Sequence, residues 1–561
     1  MMGQPQNNIK SNLSGYCLLI IIPFNLFFSG GAFGEKLSSK DNLSNVGKYY
    51  MAVTSDSYAT DAANDVLEKG GSAADAAIAA QLVLGLTEPQ GSGLGGGAFV
   101  LYFDNQTKKI ISIDAREVAP SSANENLFID SVGNVIDFEL ASLSGKSVGI
   151  PGTPALIGHL HEHYGILSMD ELSSYSLKLA TQGFYKSKSL KESLNSNKMI
   201  LEDRLDTNEY FFSSNFIKNE KYRNNLINLS ENGYEIFYKP PISQNIIKAV
   251  RKNNGIMTQD DFDNYKIIER EAVCDDFLEY KICSMGEPSS GALTMLQILK
   301  LIEFNPTWHN YIEASKLAFA DRNFYMADPD FVNTPAKMLL DNNYIHKRRK
   351  LITENIIRDP MHGHIDGFYK NTDYGFGPEE SGTSHISIVD KYGNIISMTS
   401  TIESSFGSKI MANGYLLNNE LTDFSFIPKN ENGLVANRVQ PGKRPRSSMT
   451  PTIVFDKSTN EPILVIGSAG GSRIIGHVTQ RIIDVLYHKK RLGESITAPH
   501  LLSRGNGIEA ERITSREMHL KEMGHEVRVK KLQSGINAIY FNKNLIYGEA
   551  DPRRHGKALG K

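Results

Sequence analysis

The chain has 561 residues, 40% of them apolar and 22% charged, with a formal net charge of −3. That length suffices for a large buried core or more than one domain. The near balance of charge, with both signs spread along the chain, excludes the basic field of a nucleic-acid binder and any charged tail.

Residues 1–34 stand apart. Lys10 supplies a positive charge, Tyr16 to Phe28 is apolar, and Ala32-Phe33-Gly34 has the small-x-small form of a signal-peptidase site. The apolar run contains Pro23 and is too short for a comfortable membrane span. The expectation is a cleaved export signal and a periplasmic or secreted protein with no stable membrane span. Cys17 leaves with that signal. Cys274 and Cys283 flank a stretch that reads as a hairpin; an oxidising compartment could join them, or they stay as two buried thiols. Without a His-x-x-x-His partner they do not build a zinc site, and no metal is expected.

The Ala-rich stretch Asp61 to Leu86 reads as helical with a break at Gly70-Gly71. A turn at Glu88-Pro89-Gln90, a glycine loop from Gly91 to Gly97 and a strand from Ala98 to Asp104 follow. Roughly 155 to 350 is mostly helical, including Ala155 to His163 and Ile312 to Tyr325, and Pro360 to Gly382 is a polar, Gly-rich loop. From Thr383 the chain changes to short β-branched runs (SHISIVD, NIISMTSTI, TIVFD, PILVIGS), then a helix from Ser472 to His488. Such alternation suits a layered α/β sandwich.

The loop Gly91-Ser92-Gly93-Leu94-Gly95-Gly96 matches the dinucleotide fingerprint G-x-G-x-x-G. That fingerprint needs a strand before the loop and a helix after it, so the helix N-terminus faces the pyrophosphate. Here the order is reversed, which argues for close backbone packing and against a dinucleotide oxidoreductase. Gly467 to Ile475 has the order strand, glycines, helix. Its N–H groups can hold an anion or a developing oxyanion, or simply form a tight turn. No G-x-S-x-G is present, so a nucleophile-elbow serine hydrolase is not supported.

Gly382-Thr383-Ser384-His385 places a threonine at a strand start after the polar loop. An internal threonine has no base of its own. Cleavage before Thr383 would free its α-amine, with a pKa of roughly 7.7–8, to activate the adjacent hydroxyl.

Around this threonine the chain resembles the γ-glutamyltranspeptidase family over nearly its whole length beyond residue 34. The blocks are GGSAADAAIAAQLVLGLTEPQGSGLGGGAFVLYFD, DAREVAP, EASKLAFADRNFYMADPDF, TSHISIVD, TSTIESSFG, LLNNELTDFS, QPGKRPRSSMTPTIVF, GSAGGSRI and GEADPRR. The resemblance implies an α/β fold, the four-layer αββα sandwich of N-terminal-nucleophile hydrolases, formed jointly by a large subunit (35–382) and a small one (383–561) after self-cleavage between Gly382 and Thr383. Thr383 would be the nucleophile, Thr401 its orienting hydroxyl, and Gly470 and Gly471 the oxyanion donors. Arg116, assisted by Ser447 and Ser448, would take the donor's α-carboxylate, and Glu420 and Asp423 its α-ammonium. The implied partners are γ-glutamyl donors such as glutathione, amino-acid or peptide acceptors, and the two subunits themselves; no cofactor is implied.

Two departures stand out. Glu403 occupies a place where many members have Asn and would add a carboxylate near the donor amine. The stretch between Asp423 and Ser447 is short and has no tyrosine, which implies a lidless, open cleft tolerant of poly-γ-glutamate. The rival readings are a glutaryl-cephalosporin acylase of the same fold, a poly-γ-glutamate depolymerase, and an unprocessed, non-catalytic binding protein.

Overall fold

A computed structural model describes residues 44–368, 382–430, 433–505 and 507–561. The expected export signal, 1–34, and most of the Gly-rich loop before Thr383 lie outside them.

Fourteen strands build two large sheets. In chain order they are β1 (Ser44–Gly47), β2 (Met51–Thr54), β3 (Gly97–Asp104), β4 (Lys109–Ala115), β5 (Ile268–Arg270), β6 (Val273–Phe277), β7 (Tyr280–Ser284), β8 (Gly382–Val389), β9 (Ile395–Glu403), β10 (Thr452–Asp456), β11 (Pro462–Gly467), β12 (Asn537–Asn542), β13 (Leu545–Ala550) and β14 (Lys557–Gly560). One sheet runs β14-β2-β8-β9-β3-β4-β5 and the other β1-β13-β12-β11-β10-β7-β6. Every neighbouring pair in both is antiparallel.

The two sheets face each other. Met51, Val53, Leu101, Phe103, Val389, Ile453, Phe455, Val465 and Ile539 form the apolar layer between them. Helices α1 (Ser57–Glu68), α2 (Ala73–Thr87) and α3 (Thr153–Tyr164) cover the outer face of the first sheet. Helices α4 (Gly291–Ile302), α5 (Trp308–Tyr325) and α6 (Ile474–Ile482) cover the second. The result is the expected αββα sandwich. Because helices close both outer faces, the antiparallel strands are buried on both sides. That is why β8 and β9 read as runs rich in Ile, Ser and Thr with hardly a charge.

Local sequence explains the frame. Helix α2 is buried around its whole circumference, as its uniformly small and apolar residues require. A capping box of Ser72 and Asp75 starts it. Side chains of β8 alternate: Ile386 and Ile388 join the helix-covered core, whereas Val389 enters the layer between sheets. Cys274 and Cys283 are register partners across β6 and β7 and form a disulfide with S–S 2.06 Å. The predicted helix from Ser472 to His488 is composite: a 3-10 turn at Gly471–Arg473, then α6, then a π-type turn at Ile483–Tyr487. Gly382, expected in the loop, is the first residue of β8.

Candidate active site

The centre of the site is the start of β8 against the end of β9. Thr383 pairs with Thr401, and Gly382 with Glu403, so Ile402 is left over as a bulge. The bulge re-aims the chain: Glu403 takes φ 75°, an uncommon conformation for a residue with a side chain. The first glycine loop supports this corner. It runs from helix into strand, as its sequence order required, and Gly91 O accepts from Ile402 N at 3.2 Å. A Cβ on Gly96 would lie 2.0 Å from the Thr401 carbonyl oxygen, so this loop serves close packing.

Hydroxyl proton counting fixes the bonding at the corner. Thr401 Oγ1 donates to the Gly382 carbonyl at 2.7 Å and accepts from Glu403 N at 2.8 Å. A threonine hydroxyl has one proton. The 3.2 Å contact between the Thr383 and Thr401 hydroxyls therefore has Thr383 as donor. The following residue anchors the strand, with Ser384 Oγ donating to Glu88 at 2.6 Å and Arg554 reaching the same carboxylate at 3.2 Å.

A small, open cleft lies over Thr383. Arg116, Thr401, Glu403, Glu420, Asp423, Ser447, Ser448 and Gly471 line it, with Met449 and Ile474 as its apolar wall. Nine of the sequence-derived residues thus converge on one small space. Gly382 and Gly470 do not line it; they adjoin Thr383 and Gly471 in the chain. Consecutive positive φ values at Gly470 (126°) and Gly471 (57°) turn the chain from β11 toward α6, a backbone path that side-chain-bearing residues rarely adopt.

Arg116, at the exit of β4, is almost wholly buried. Its guanidinium pairs with Glu420 through one terminal nitrogen and with Asp423 through the other. Its Nε donates to the Pro445 carbonyl at 3.2 Å. The cation and the two acids expected to divide a zwitterion between them thus contact one another directly. The carboxylates hold Arg116 above its ordinary value despite burial. Ser448 Oγ accepts from Arg322 at 2.7 Å, Ser447 Oγ from Met449 N at 3.1 Å. Glu403 accepts from Asn419 and Ser404.

One participant escaped the sequence reading. Glu117 is fully buried, lies 3.9 Å from the Arg116 guanidinium and sits against the Glu420 carboxyl group. Burial pushes its pKa up to about 7, against the pull of Arg116. Glu420 is raised as well, first by burial. In the sequence it is only an acid directly after the arginine, and that position does not by itself mark burial.

Outside the site, His309, Glu313 and His525 bring three metal-type ligands within 4.8 Å of one another. Their bonding is closed internally: His309 meets His525 at 2.8 Å and Lys316 meets Glu313 at 2.7 Å.

Comparison with known proteins matches residues 59–561 to a family model described as gamma-glutamyltranspeptidase. The glutathione hydrolase proenzyme of Bacillus subtilis (strain 168) is 34% identical over 550 residues, covering 92% of each chain. Its counterpart from Escherichia coli (strain K12) is 33% identical over 536 residues, covering 90% of each. A cephalosporin acylase from Bacillus halodurans superposes with a TM-score of 0.80 over 96% of this chain and 99% of its own, at 21% identity, a likeness of fold. A gamma-glutamyltranspeptidase chain from Helicobacter pylori is 30% identical, with a TM-score of 0.51, and covers 53% of this chain and 89% of its own.

Proposed function

The chain belongs to the γ-glutamyltranspeptidase family, and on that premise we propose that it is a self-cleaving γ-glutamyltransferase and glutathione hydrolase whose nucleophile is Thr383. The observation that carries this reading is the contact chain from Thr383 Oγ1 through Thr401 Oγ1 to the Gly382 carbonyl.

That chain suggests how the precursor matures. Thr401 donates to the carbonyl oxygen of the bond to be cut, which draws electron density from its carbon and would stabilise the oxyanion formed there. The Thr383 hydroxyl adds to that carbon, its proton passes to the Thr383 nitrogen as the C–N bond breaks, and an ester joins Gly382 to Thr383 Oγ1 with the amine already free. Water hydrolyses the ester, which leaves a carboxylate on Gly382 and the hydroxyl back on Thr383 beside its free amine. That amine is then the base for the hydroxyl beside it. The products are a large subunit, 35–382 once the export signal is removed, and a small one, 383–561, held together as a heterodimer.

In the mature site the Thr383 hydroxyl attacks the γ-carbonyl of glutathione or a related donor. The Gly470 and Gly471 N–H groups take the developing oxyanion, each worth about 3–4 kcal/mol. The leaving amine departs with a proton, and water or an amino acid or peptide then takes the γ-glutamyl group from Thr383. Arg116 with Ser447 and Ser448 suits the donor's α-carboxylate, and Glu420, Asp423 and Glu403 suit its α-ammonium. Binding such a zwitterion exchanges the internal Arg116–Glu420 and Arg116–Asp423 pairs for pairs with the ligand, so no charge is left stranded. A glutaryl donor, lacking the amine, would satisfy Arg116 and leave the acids unpaired.

Among the described residues after Asp423, Lys429–Asn430 pairs with Gly433–Leu434 and Ser425 bridges to Arg438. This short segment supports the lidless reading and a tolerance for γ-linked glutamate polymers. No helix among the described residues is long and apolar enough to cross a membrane, and we assign the protein to the periplasm or the medium on the export signal in 1–34.

The deciding experiment is N-terminal sequencing of the purified protein with a donor assay. Two chains, one beginning Thr-Ser-His-Ile, with release of glutamate from glutathione, are expected. A single intact chain that still turns over glutathione would refute the nucleophile assignment. A single inert chain would favour the non-catalytic binding protein. Absence of polymer cleavage beside glutathione turnover would refute the open-cleft reading alone.

A further inference from the structure

Beneath the Gly470–Gly471 turn lies a buried histidine that the catalytic scheme does not use. His477 sits in α6, is fully buried, and its Nδ1 lies 3.1 Å from the Ala469 carbonyl oxygen. A carbonyl only accepts, so Nδ1 carries the proton and Nε2 does not. Nε2 has no hydrogen-bond partner among the described residues. Burial pushes the pKa down to about 3, which keeps the ring neutral in this one tautomer.

The ring is itself held in place. It packs against His500 with centroids 4.2 Å apart. His500 Nε2 meets Ser534 Oγ at 2.9 Å, and the Ser534 hydroxyl proton goes to Asp551, which also accepts from Ile536 N at 3.0 Å. His500 therefore donates to Ser534 and is pinned to the strand pair β12 and β13. On its other side the His477 ring touches the turn: a Cβ on Gly470 would lie 2.9 Å from Cε1 and 3.1 Å from Nδ1.

Peptide planarity converts this contact into control of the turn. The Ala469 carbonyl and the Gly470 N–H belong to one planar unit and point in opposite directions. Whatever holds the carbonyl aims the N–H. Two groups hold it, Ser468 Oγ at 2.8 Å and His477 Nδ1. Ser468 Oγ is itself steadied from outside, by Gly535 N at 3.4 Å and by His477 Nδ1 at 3.4 Å, so the histidine holds the carbonyl both directly and through the serine. An apolar side chain at 477 would avoid the cost of a buried unpartnered nitrogen, and would release the carbonyl. We propose that His477 is a positioning residue for acyl transfer, clamping the Ala469–Gly470 peptide so that the Gly470 N–H faces the oxygen that becomes negative.

This inference rests on the reading of Gly470 and Gly471 as oxyanion donors, and the experiment separates the two. His477→Phe keeps a ring and removes the donor; His477→Asn keeps a donor near the place of Nδ1. His477→Leu replaces the Phe variant if that does not accumulate. Each is assayed as processed enzyme, normalised by active-site titration, for kcat and KM on a chromogenic γ-glutamyl anilide. Each is also tested for affinity toward a boronate analogue of the γ-glutamyl group, which forms a tetrahedral adduct on the nucleophile.

The expected result is a kcat lower by about 10- to 100-fold in His477→Phe, with KM within about twofold. Boronate affinity should fall by a similar factor, and His477→Asn should recover most of both losses. Unchanged kcat and boronate affinity in His477→Phe, or an Asn variant as impaired as the Phe variant, would overturn the positioning role. The crystal structure of the wild-type boronate adduct tests the underlying reading. A boronate oxygen on the Gly470 and Gly471 N–H groups leaves that reading standing whatever the variants do; an oxygen placed elsewhere removes both.

Discussion

The hydroxyls of Thr383 and Thr401 lie 3.2 Å apart, and the proton of Thr401 is already committed to the carbonyl oxygen of Gly382. One hydroxyl thus touches both the carbonyl of the proposed scissile bond and the proposed nucleophile. Thr401→Val, which keeps the shape and removes the oxygen, is expected to slow self-cleavage at least 10-fold. In whatever fraction does mature, kcat should fall by about 100-fold. A time course on a denaturing gel, with activity normalised to cleaved chain, measures both, and rapid complete cleavage would contradict the bonding pattern.

Thr383→Ala should leave a single chain with no turnover. Thr383→Ser, which preserves a hydroxyl and its future amine, should still mature and work at a reduced rate. The two variants differ by whether an oxygen is present, so equal behaviour on the gel would rule out Thr383 as the attacking group.

Ser448 is oriented by Arg322 at 2.7 Å and opens onto the cavity. Its hydroxyl is assigned to the donor's α-carboxylate, where a charge-assisted hydrogen bond is worth about 1.5–3 kcal/mol. Ser448→Ala should raise KM for glutathione by roughly 10- to 100-fold, with kcat within a few-fold. A selective loss of kcat would instead place Ser448 at the reacting carbonyl.

Glu117 gives a pH signature in stability. Its folded pKa, pushed up to about 7, exceeds the ordinary carboxylate value of 4.5. Between those values the folded state holds a proton that the unfolded chain has lost. Stability from this group therefore falls as pH rises from about 4.5 to about 7. Glu117→Gln removes that fall. The melting temperature of the variant relative to wild type should rise by several degrees between pH 5 and pH 8, and a gap independent of pH would show that Glu117 is ionised throughout.

The Cys274–Cys283 bond closes a short hairpin loop, with Cys283 in the layer between the sheets. Chain-entropy arguments put such a short cross-link at about 2–3 kcal/mol. Cys274→Ser should lower the melting temperature by a few degrees and leave turnover unchanged, because neither cysteine lines the cavity.

Much of this was legible in the sequence, for identifiable reasons. The β-branched runs after Thr383 became β8 to β11 because a strand between two covered layers needs compact apolar residues on both faces. The first glycine loop was read correctly from element order alone. Residues lining the cavity came from blocks far apart in sequence, and only the family resemblance joined them. Three features were not legible. Glu117 was passed over, since nothing local says that its strand end is buried. The direct pairing of Arg116 with Glu420 and Asp423 was not legible, because a role assigned to each toward a substrate says nothing of their contacts with one another. The two turn types flanking α6 depend on what packs against it, whereas apolar spacing reports only that a helix is present.

The strand order of the two sheets carries a last consequence. In the first sheet, β8 and β9 stand between β2 and β3, and β14 closes the edge beside β2; in the second, β10 to β13 stand between β1 and β7. A cut before Thr383 would therefore divide the polypeptide without creating two bodies. Neither product would own a complete sheet, so neither has a shape to keep by itself. Dilution should not part them, separately made halves should find each other only by folding together, and a single melting event should report both. The nick would act as a chemical edit to a finished object, giving the nucleophile its new end while the surrounding architecture stays in place.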